Sequence, residues 1–172
     1  MPNPNHLPAG TSKGGEFTSG SSGNQKMNDI IRQVYHGTSK QSADYIRQHG
    51  LMTPKRDIGM SSQANDIFTF VTTSKTGAKY YVQDNFRVKN PDLIQMQLTG
   101  KLYEIKKAMP DYKAFGEVAR TLGVIHEDGH SYDYKEIAQA LKSSGYSGVS
   151  FRDANANNRI SMAVLPDFLR VE

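Results

Sequence analysis

The chain has 172 residues, with 21 Lys and Arg against 17 Asp and Glu, which gives a formal net charge of +4. This length corresponds to one domain of about 100–200 residues, with or without a tail, and the mild positive charge favours an anionic ligand or partner. The absence of cysteine excludes disulfide scaffolds, thiol catalysis and cysteine-based metal sites, and no apolar run approaches the roughly 20 residues that cross a bilayer.

Residues 1–26 differ in composition from the rest of the chain. They are rich in glycine, serine and proline, and Leu7 and Phe17 are the only large apolar residues after Met1. Such a segment buries too little surface to offset the entropy of ordering it, so we predict a flexible tail or linker before one domain over 27–172. The run PAGTSKGGEFTSG resembles linkers of phage head and portal-associated proteins. A cloning scar around SGSSG is the alternative.

The first half of the domain is predicted to contain a strand, a helix, a second strand and a helical turn. Val34 and Tyr35 indicate the first strand. Ser39 is a suitable N-cap for a helix over 40–49, because its hydroxyl can accept from a backbone N–H of the first turn, and Gly50 can end that helix. A loop, a β-rich run and one or two helical turns are predicted at 53–66, 67–72 and 76–82.

The second half is predicted to contain one more helix and four strands. Asp133 and Glu136 have the spacing of a capping box and indicate a helix that runs to about Ser144. The strands are predicted at 102–105, 148–152, 160–165 and 168–171. Since strands and helices do not alternate strictly, the sequence predicts an α+β domain rather than a doubly wound parallel sheet.

The most informative motif is Tyr35-His36-Gly37-Thr38. A histidine at the end of a strand presents its imidazole, and a glycine after it lets a ligand approach the backbone because it has no Cβ. Thr38 adds a hydroxyl at the same place. Taken alone, the motif is more typical of a strand-end histidine that caps a turn.

A second motif combines an aromatic strand with an aromatic helix. Phe70 and Thr72 belong to the strand, and Tyr80 and Tyr81 follow on the helix. One interpretation is an edge strand and a helix with two core tyrosines. The other is a groove whose flat rings stack on a heteroaromatic ligand.

Together the two motifs resemble the NAD-binding core of ADP-ribosyltransferases, in particular the diphtheria-toxin and poly-ADP-ribose polymerase branch. The resemblance implies a split antiparallel β-sandwich with peripheral helices, and NAD as a substrate. It assigns a ribose hydrogen bond to His36, a carboxamide contact to the Gly37 backbone, and ring stacking to Phe70 and Tyr81, with Tyr80 as the alternative. The NAD-binding residues it implies are Tyr35, His36, Gly37, Thr38, Phe70, Thr72, Tyr80 and Tyr81.

The third element of that family is a glutamate at the start of a late strand, and Ile160 occupies the corresponding position. Some mono-ADP-ribosyltransferases carry an apolar residue there and remain active, so the resemblance implies mono- rather than poly-ADP-ribosylation. Asp153 is a candidate substitute acid, as are Asp111 and Glu117, which we expect in an intervening loop. A solvated surface role is the plainer interpretation of each acid. The predicted catalytic residues are His36, Tyr81, Asp153 and Ile160.

Other site classes find little support. His126 and His130 flank a short polar segment, but Gly129 indicates a loop and no third ligand is obvious, so we predict no metal site. The glycine-rich phosphate loops of nucleotide hydrolases and dinucleotide-binding dehydrogenases are absent from the sequence.

The sequence therefore predicts a mono-ADP-ribosyltransferase that acts as a toxin or host-modifying effector of phage or bacterial origin. Its expected location is the cytoplasm of a bacterial host, with delivery by a phage particle as one route, and no membrane association is expected. The expected partners are NAD, a protein or nucleic-acid acceptor, and phage head proteins or an immunity protein.

Two alternatives remain open. One is a catalytically degenerate member of the same fold that serves as a structural or binding module of a phage particle. The other is an NAD-dependent RNA 2′-phosphotransferase-like enzyme, which needs basic residues for the RNA phosphate. Arg32, Arg47 and Arg56 are the residues available for that purpose.

Overall fold

A computed structural model describes residues 32–51 and 63–172 of the chain. The strands are β1 (Arg32–Ser39), β2 (Thr69–Val71), β3 (Pro91–Leu98), β4 (Lys101–Met109), β5 (Tyr146–Asp153), β6 (Arg159–Val164) and β7 (Leu169–Val171). The helices are α1 (Lys40–His49), α2 (Lys75–Lys79), α3 (Asp111–Thr121) and α4 (Tyr134–Ser143), and a π-helix over Tyr80–Asn85 continues α2. The predicted tail at 1–26 and most of the predicted loop at 53–66 lie outside the described residues.

The strands form two sheets, which makes the domain α+β as predicted. Sheet A has the order β1-β3-β7 and sheet B the order β2-β6-β5-β4. β4 and β5 are parallel, and α3 and α4 lie in the connection between them, since parallel strands need a long crossover. The other neighbouring strands are antiparallel.

Two apolar cores define the layers. The inter-sheet core lies between sheet A and one face of sheet B, and contains Val34, Ala43, Val71, Ile94, Met96, Leu98, Leu102, Met162 and Val164. The helix-side core lies between the other face of sheet B and helices α3 and α4, and includes Phe68, Phe115, Ile137, Leu141, Phe151 and Ala163. Successive residues of β6 therefore alternate between the two cores, as the pleat of a strand requires.

The predicted helix ends are confirmed. The Ser42 N–H donates to the Ser39 hydroxyl over 3.2 Å at the start of α1, and Gly50 follows its end with a φ of 78°. Glycine adopts this left-handed conformation without strain. At the start of α4 the Lys135 N–H donates to Asp133 Oδ1 over 2.6 Å. Among the helices of the described ranges, none is long and apolar enough to cross a membrane.

Several expectations need correction. His36 and Gly37 lie inside β1 and not at its end, because β1 continues to Ser39 in register with β3. β3 and α3 were not predicted, and α3 contains Asp111 and Glu117, which we expected in a loop. The helical turns predicted at 76–82 are α2 and the start of the π-helix.

Gly37 provides a test of how tightly α2 and the π-helix pack on β1. A Cβ at Gly37 would lie 2.5 Å from Val82 Cγ1 and 2.8 Å from the Ala78 carbonyl oxygen. We expect Gly37→Ala to lower the free energy of unfolding by about 1–3 kcal/mol, because the helix backbone must shift. Urea unfolding measures the change.

The matched control is Gly116→Ala, in the buried part of α3. Its added methyl would meet nothing closer than Tyr132 Cε1 at 3.6 Å. Alanine also restricts the unfolded chain, so this variant should be neutral or up to about 1 kcal/mol more stable. Equal effects of the two substitutions would contradict the packing argument.

Candidate functional site

The two sheets are joined at Thr72, directly after β2. Its N–H and carbonyl pair with the carbonyl and N–H of Tyr35, each over 2.9 Å. Its hydroxyl donates to the carbonyl oxygen of Ile160 over 2.9 Å, and the residue is only 4% exposed. The residue before His36 and the predicted third element are thus held by the same threonine.

His36 is oriented by the backbone of β2. Its Nδ1 lies 2.8 Å from the carbonyl oxygen of Phe70. Because a carbonyl can only accept, Nδ1 carries the proton, and Nε2 of the neutral ring is then able to accept a hydrogen bond. Alternation along β1 places His36 on the face of Val34, which belongs to the inter-sheet core.

Ile160 faces the same inter-sheet side as His36. It alternates with Met162 and Val164, which both belong to the inter-sheet core. At the start of β6 this face is open, and Ile160 is 36% exposed. The structure therefore places the predicted third element on the side of sheet B that faces β1.

The sequence predicted that Gly37 lets a ligand approach the backbone, but in the structure a helix packs against it. The backbone on its Cα side is covered by Ala78 and Val82, so helix packing accounts for the missing Cβ. A contact between its backbone and a carboxamide stays a prediction. Tyr35 lies on the same face as Gly37, where its hydroxyl donates to Gln33 Oε1 over 3.0 Å and Lys75 Nζ lies 5.7 Å from its ring centroid. Thr38 is half-buried on the face of His36.

Tyr80 and Tyr81 contact the two strands of the β5–β6 hairpin next to its turn. Asp153 and Arg159 are opposite each other in the register of the two strands. The Tyr81 hydroxyl donates to Asp153 Oδ2 over 2.9 Å, and the Arg159 guanidinium carbon lies 4.7 Å from the centroid of the Tyr80 ring. We call Tyr80, Tyr81, Asp153 and Arg159 the hairpin cluster. Consecutive residues of the π-helix thus contact both members of one cross-strand pair.

The Tyr81 phenol is kept protonated by its surroundings. Burial raises its pKa most, and the negative charge of Asp153 and the hydrogen bond to it raise the pKa further. The Ser161 hydroxyl has a smaller effect in the opposite direction. At neutral pH the phenol is therefore a fixed hydrogen-bond donor whose ring position is set by Asp153.

The aromatic residues are arranged differently from the predicted Phe70–Tyr81 pair. The Phe70 ring is half-buried and meets Phe115 edge-on, with centroids 6.4 Å apart and an angle of 78°. Phe86, which the sequence analysis missed, stacks on Tyr81 at 6.1 Å and 22° and is 46% exposed. The π-helical hydrogen bond from the Phe86 N–H to the Tyr81 carbonyl, over 2.8 Å, aligns the two residues. Stacking of Phe70 on a ligand stays a prediction.

The predicted site residues therefore fall into two groups. His36 and Ile160 face the inter-sheet side, whereas Tyr81 and Asp153 lie on the helix side of sheet B. Each group has a neighbour at the start of β6, where Arg159 and Ile160 are consecutive and point to opposite faces. A ligand that contacts both groups must pass around this end of the strand.

The His126–His130 segment forms a separate polar loop. His126 Nε2 lies 2.9 Å from Glu136 Oε2 and its Nδ1 lies 3.2 Å from the Ser131 hydroxyl. Hydrogen bonds from Ser131 and from the His130 N–H lower the pKa of Asp128 to about 2. Across residues 32–51 and 63–172, no group of three or more His, Cys, Asp or Glu side chains could hold a metal ion.

The loop borders an open depression of about 440 Å³ between the end of α3 and α4. It is lined by Gly123, Val124, Ile125, His126, Glu136, Gln139, Ala140 and Ser143. None of these residues contacts Thr72 at the point where the two sheets join, and none belongs to the hairpin cluster. The depression is open and shallow. The convergent groups described above are the stronger candidate for a binding site.

In comparisons with known proteins, the chain matches no family model, no curated protein and no solved structure.

The bond between Tyr81 and Asp153 can be tested by removing one hydroxyl. We expect Tyr81→Phe to lower the free energy of unfolding by about 1–2 kcal/mol near neutral pH, because the Asp153 carboxylate loses a donor. The difference should shrink above the ordinary tyrosine pKa of 10.0. There the unfolded wild type releases a proton that the folded state, with its raised pKa, retains, so the wild type alone loses this stability.

Urea unfolding near neutral pH and at about pH 11 measures both effects, the higher value lying about one unit above the unfolded tyrosine pKa. Tyr112→Phe is the control, because Tyr112 is 56% exposed. The hydrogen bond would be of no consequence if the two variants were equally stable.

Proposed function

We propose that the domain is a mono-ADP-ribosyltransferase that transfers ADP-ribose from NAD to a protein or nucleic-acid acceptor in a bacterial host. The observation that carries the proposal is that two motif residues are bonded to the β5–β6 hairpin, Thr72 to Ile160 and Tyr81 to Asp153, while His36 is bonded to the backbone of β2 at Phe70. Thr72 and Ile160 are 88 residues apart in the sequence, and Tyr81 and Asp153 are 72 residues apart. A binding site requires that the fold bring together residues that are distant in the sequence. The two sheets with a core between them are also compatible with a split ADP-ribosyltransferase-like sandwich.

The orientation of His36 suits a contact with a ribose hydroxyl. The bond from Nδ1 to the Phe70 carbonyl fixes the orientation of the ring. Loss of nicotinamide from NAD develops positive charge on the ribose, and the protein must hold that ribose in the reactive geometry. In this proposal His36 positions the ribose, and Tyr81 presents its ring to the planar group that leaves.

Asp153 acts through Tyr81 in this proposal. Its two carboxylate oxygens accept from the Tyr81 hydroxyl and from the Asn155 N–H, each over 2.9 Å. It lies on the opposite face of the hairpin from Ile160, so it does not supply the carboxylate that the family has at the third element. Without that group the chain is suited to single transfer and not to chain elongation.

The exposed Ile160 side chain favours a second candidate, a degenerate binding module of a phage particle. The arginines weaken the RNA 2′-phosphotransferase alternative. Arg47 donates to Asp92, Asp44 and the Leu93 carbonyl, with the shortest of these contacts at 2.8 Å. The hydrogen bond to Asp92 raises its pKa most, and the interaction with Asp44 raises it further. Arg47 is therefore occupied within α1 and β3, and Arg56 lies outside the described residues.

Binding of NAD can be tested by thermal unfolding of the full chain. A ligand at a hundredfold excess over its Kd stabilises a protein by about 2.7 kcal/mol, so millimolar NAD should raise the Tm of the wild type and leave that of His36→Ala unchanged. His130→Ala is the control, because His130 is exposed in the separate polar loop. No shift for the wild type, or equal shifts for both variants, would count against the proposal.

Ile160→Glu tests the third element. Since Ile160 is 36% exposed, a carboxylate there should leave the Tm nearly unchanged. The carboxylate would face the same side as His36 and stabilise the positive charge on the ribose, so we expect faster release of nicotinamide. A single positioned polar group contributes about 10²–10³ in rate.

The activity measurement uses labelled NAD with a bacterial lysate, and follows both free nicotinamide and label on protein or RNA. Label on protein or RNA from the wild type supports transfer, and no label with NAD still bound supports the degenerate module. A folded Ile160→Glu that binds NAD and releases nicotinamide no faster than the wild type would show that the third element is misplaced.

A further inference from the structure

We propose that Arg159, held on the ring of Tyr80, is a subsite for the phosphate groups of the dinucleotide substrate. The inference rests on the proposed function and adds a residue that the sequence motifs do not include. Arg159 is the first residue of β6 and directly precedes Ile160. It therefore lies at the end of the strand where the His36 side and the Tyr81 side meet.

Arg159 has no counter-ion in the part of the chain that the structure describes. The ion pairs there involve Lys40, Arg47, His126 and Lys142, and Arg159 belongs to none of them. It is nevertheless half-buried, and its Nε is a buried nitrogen without a hydrogen-bond partner. A half-buried arginine without an anion is costly, which makes a ligand the natural source of the missing charge.

The acid opposite Arg159 in the hairpin forms no ion pair with it. Asp153 is opposite Arg159 in the hairpin, but its oxygens accept from the Tyr81 hydroxyl and the Asn155 N–H. Those two bonds direct the carboxylate to the π-helix and the turn after β5. The positive charge of Arg159 is thus left available although an acid is its cross-strand neighbour.

The guanidinium of Arg159 lies over the ring of Tyr80. The guanidinium carbon lies 4.7 Å from the ring centroid, a distance typical of a cation–π contact. Stacking on a ring face leaves the edge of the guanidinium for hydrogen bonds, and that edge suits the oxygens of a phosphate in a bidentate arrangement. A lysine could supply the charge at this position but not the planar pair of donors.

The position relative to the other groups selects a diphosphate over a simple anion. Tyr81, a member of the cluster, stacks on the exposed Phe86, and His36 is bonded to Phe70 of β2, the strand that pairs with β6. An elongated ligand with a planar base, a ribose and phosphates can contact these groups in turn around the end of the strand. The proposed NAD substrate has this order of chemical groups.

Calorimetric titration of the full chain with NAD, ADP-ribose and nicotinamide tests the subsite. We expect Arg159→Gln to raise the Kd for NAD and for ADP-ribose at least tenfold, and to leave the Kd for nicotinamide within twofold of the wild-type value. The Kd of Arg159→Lys for NAD should lie between those of the wild type and Arg159→Gln, because lysine keeps the positive charge but lacks the planar pair of N–H donors. Arg120→Gln, an exposed arginine of α3, is the matched control and should bind all three ligands as the wild type does.

The remaining outcomes overturn the proposal in distinguishable ways. If the wild type binds none of the ligands, the proposed function fails and the subsite with it. If the wild type binds NAD and Arg159→Gln binds it within twofold, only the subsite is wrong. If Arg159→Gln weakens the binding of NAD and of nicotinamide equally, Arg159 supports the fold of the cluster and is not a phosphate subsite. The urea unfolding midpoint of each variant is measured as well, and an Arg159→Lys midpoint equal to that of the wild type shows that the binding data of this variant can be interpreted.

Discussion

The architecture depends on Thr72, which connects both sheets and the helix that covers their junction. Its backbone pairs with β1, its hydroxyl donates to the start of β6, and its side chain packs so closely on α2 that a Cβ at Gly77 would lie 2.8 Å from Thr72 Oγ1. A buried hydroxyl must be bonded, and here the bond determines which residue of β6 lies beside β1. The positions of His36, Ile160 and the hairpin cluster all follow from that choice.

Strong local signals in the sequence predict the corresponding parts of the fold correctly. The caps of α1 and α4 and the aromatic strand were found because a side chain and its nearby backbone determine them. α3 was missed since Pro110 precedes it and no side chain caps its first turn. β3 was not predicted although Ile94, Met96 and Leu98 alternate with polar residues, because the strand begins with Pro91 and a proline is more typical of a turn or an edge strand.

The geometry of the candidate site could be predicted only in part. The motif residues were named, but which face of β6 each one contacts depends on register with β5, which the sequence does not reveal. Gly37 was interpreted as an opening for a ligand, whereas its role in packing depends on Val82, a residue 45 positions later. Phe86 could not have been paired with Tyr81 by helical spacing, because the five-residue π-helical hydrogen bond differs from the three- and four-residue spacing of an α-helix.

The order of strands in sheet B also determines at what stage of synthesis the contacts between Thr72 and Ile160 can form. β2 lies at the edge of that sheet and pairs there with β6, so that Val71 is opposite Met162. A ribosome that adds about 5–20 residues per second needs on the order of ten seconds to travel from one strand to the other. For most of that interval His36, Thr72 and Tyr81 have been synthesised, but Asp153 at the end of β5 and Arg159 and Ile160 at the start of β6 have not. The candidate site can therefore be completed only after β6 has been synthesised and has paired with both β2 and β5.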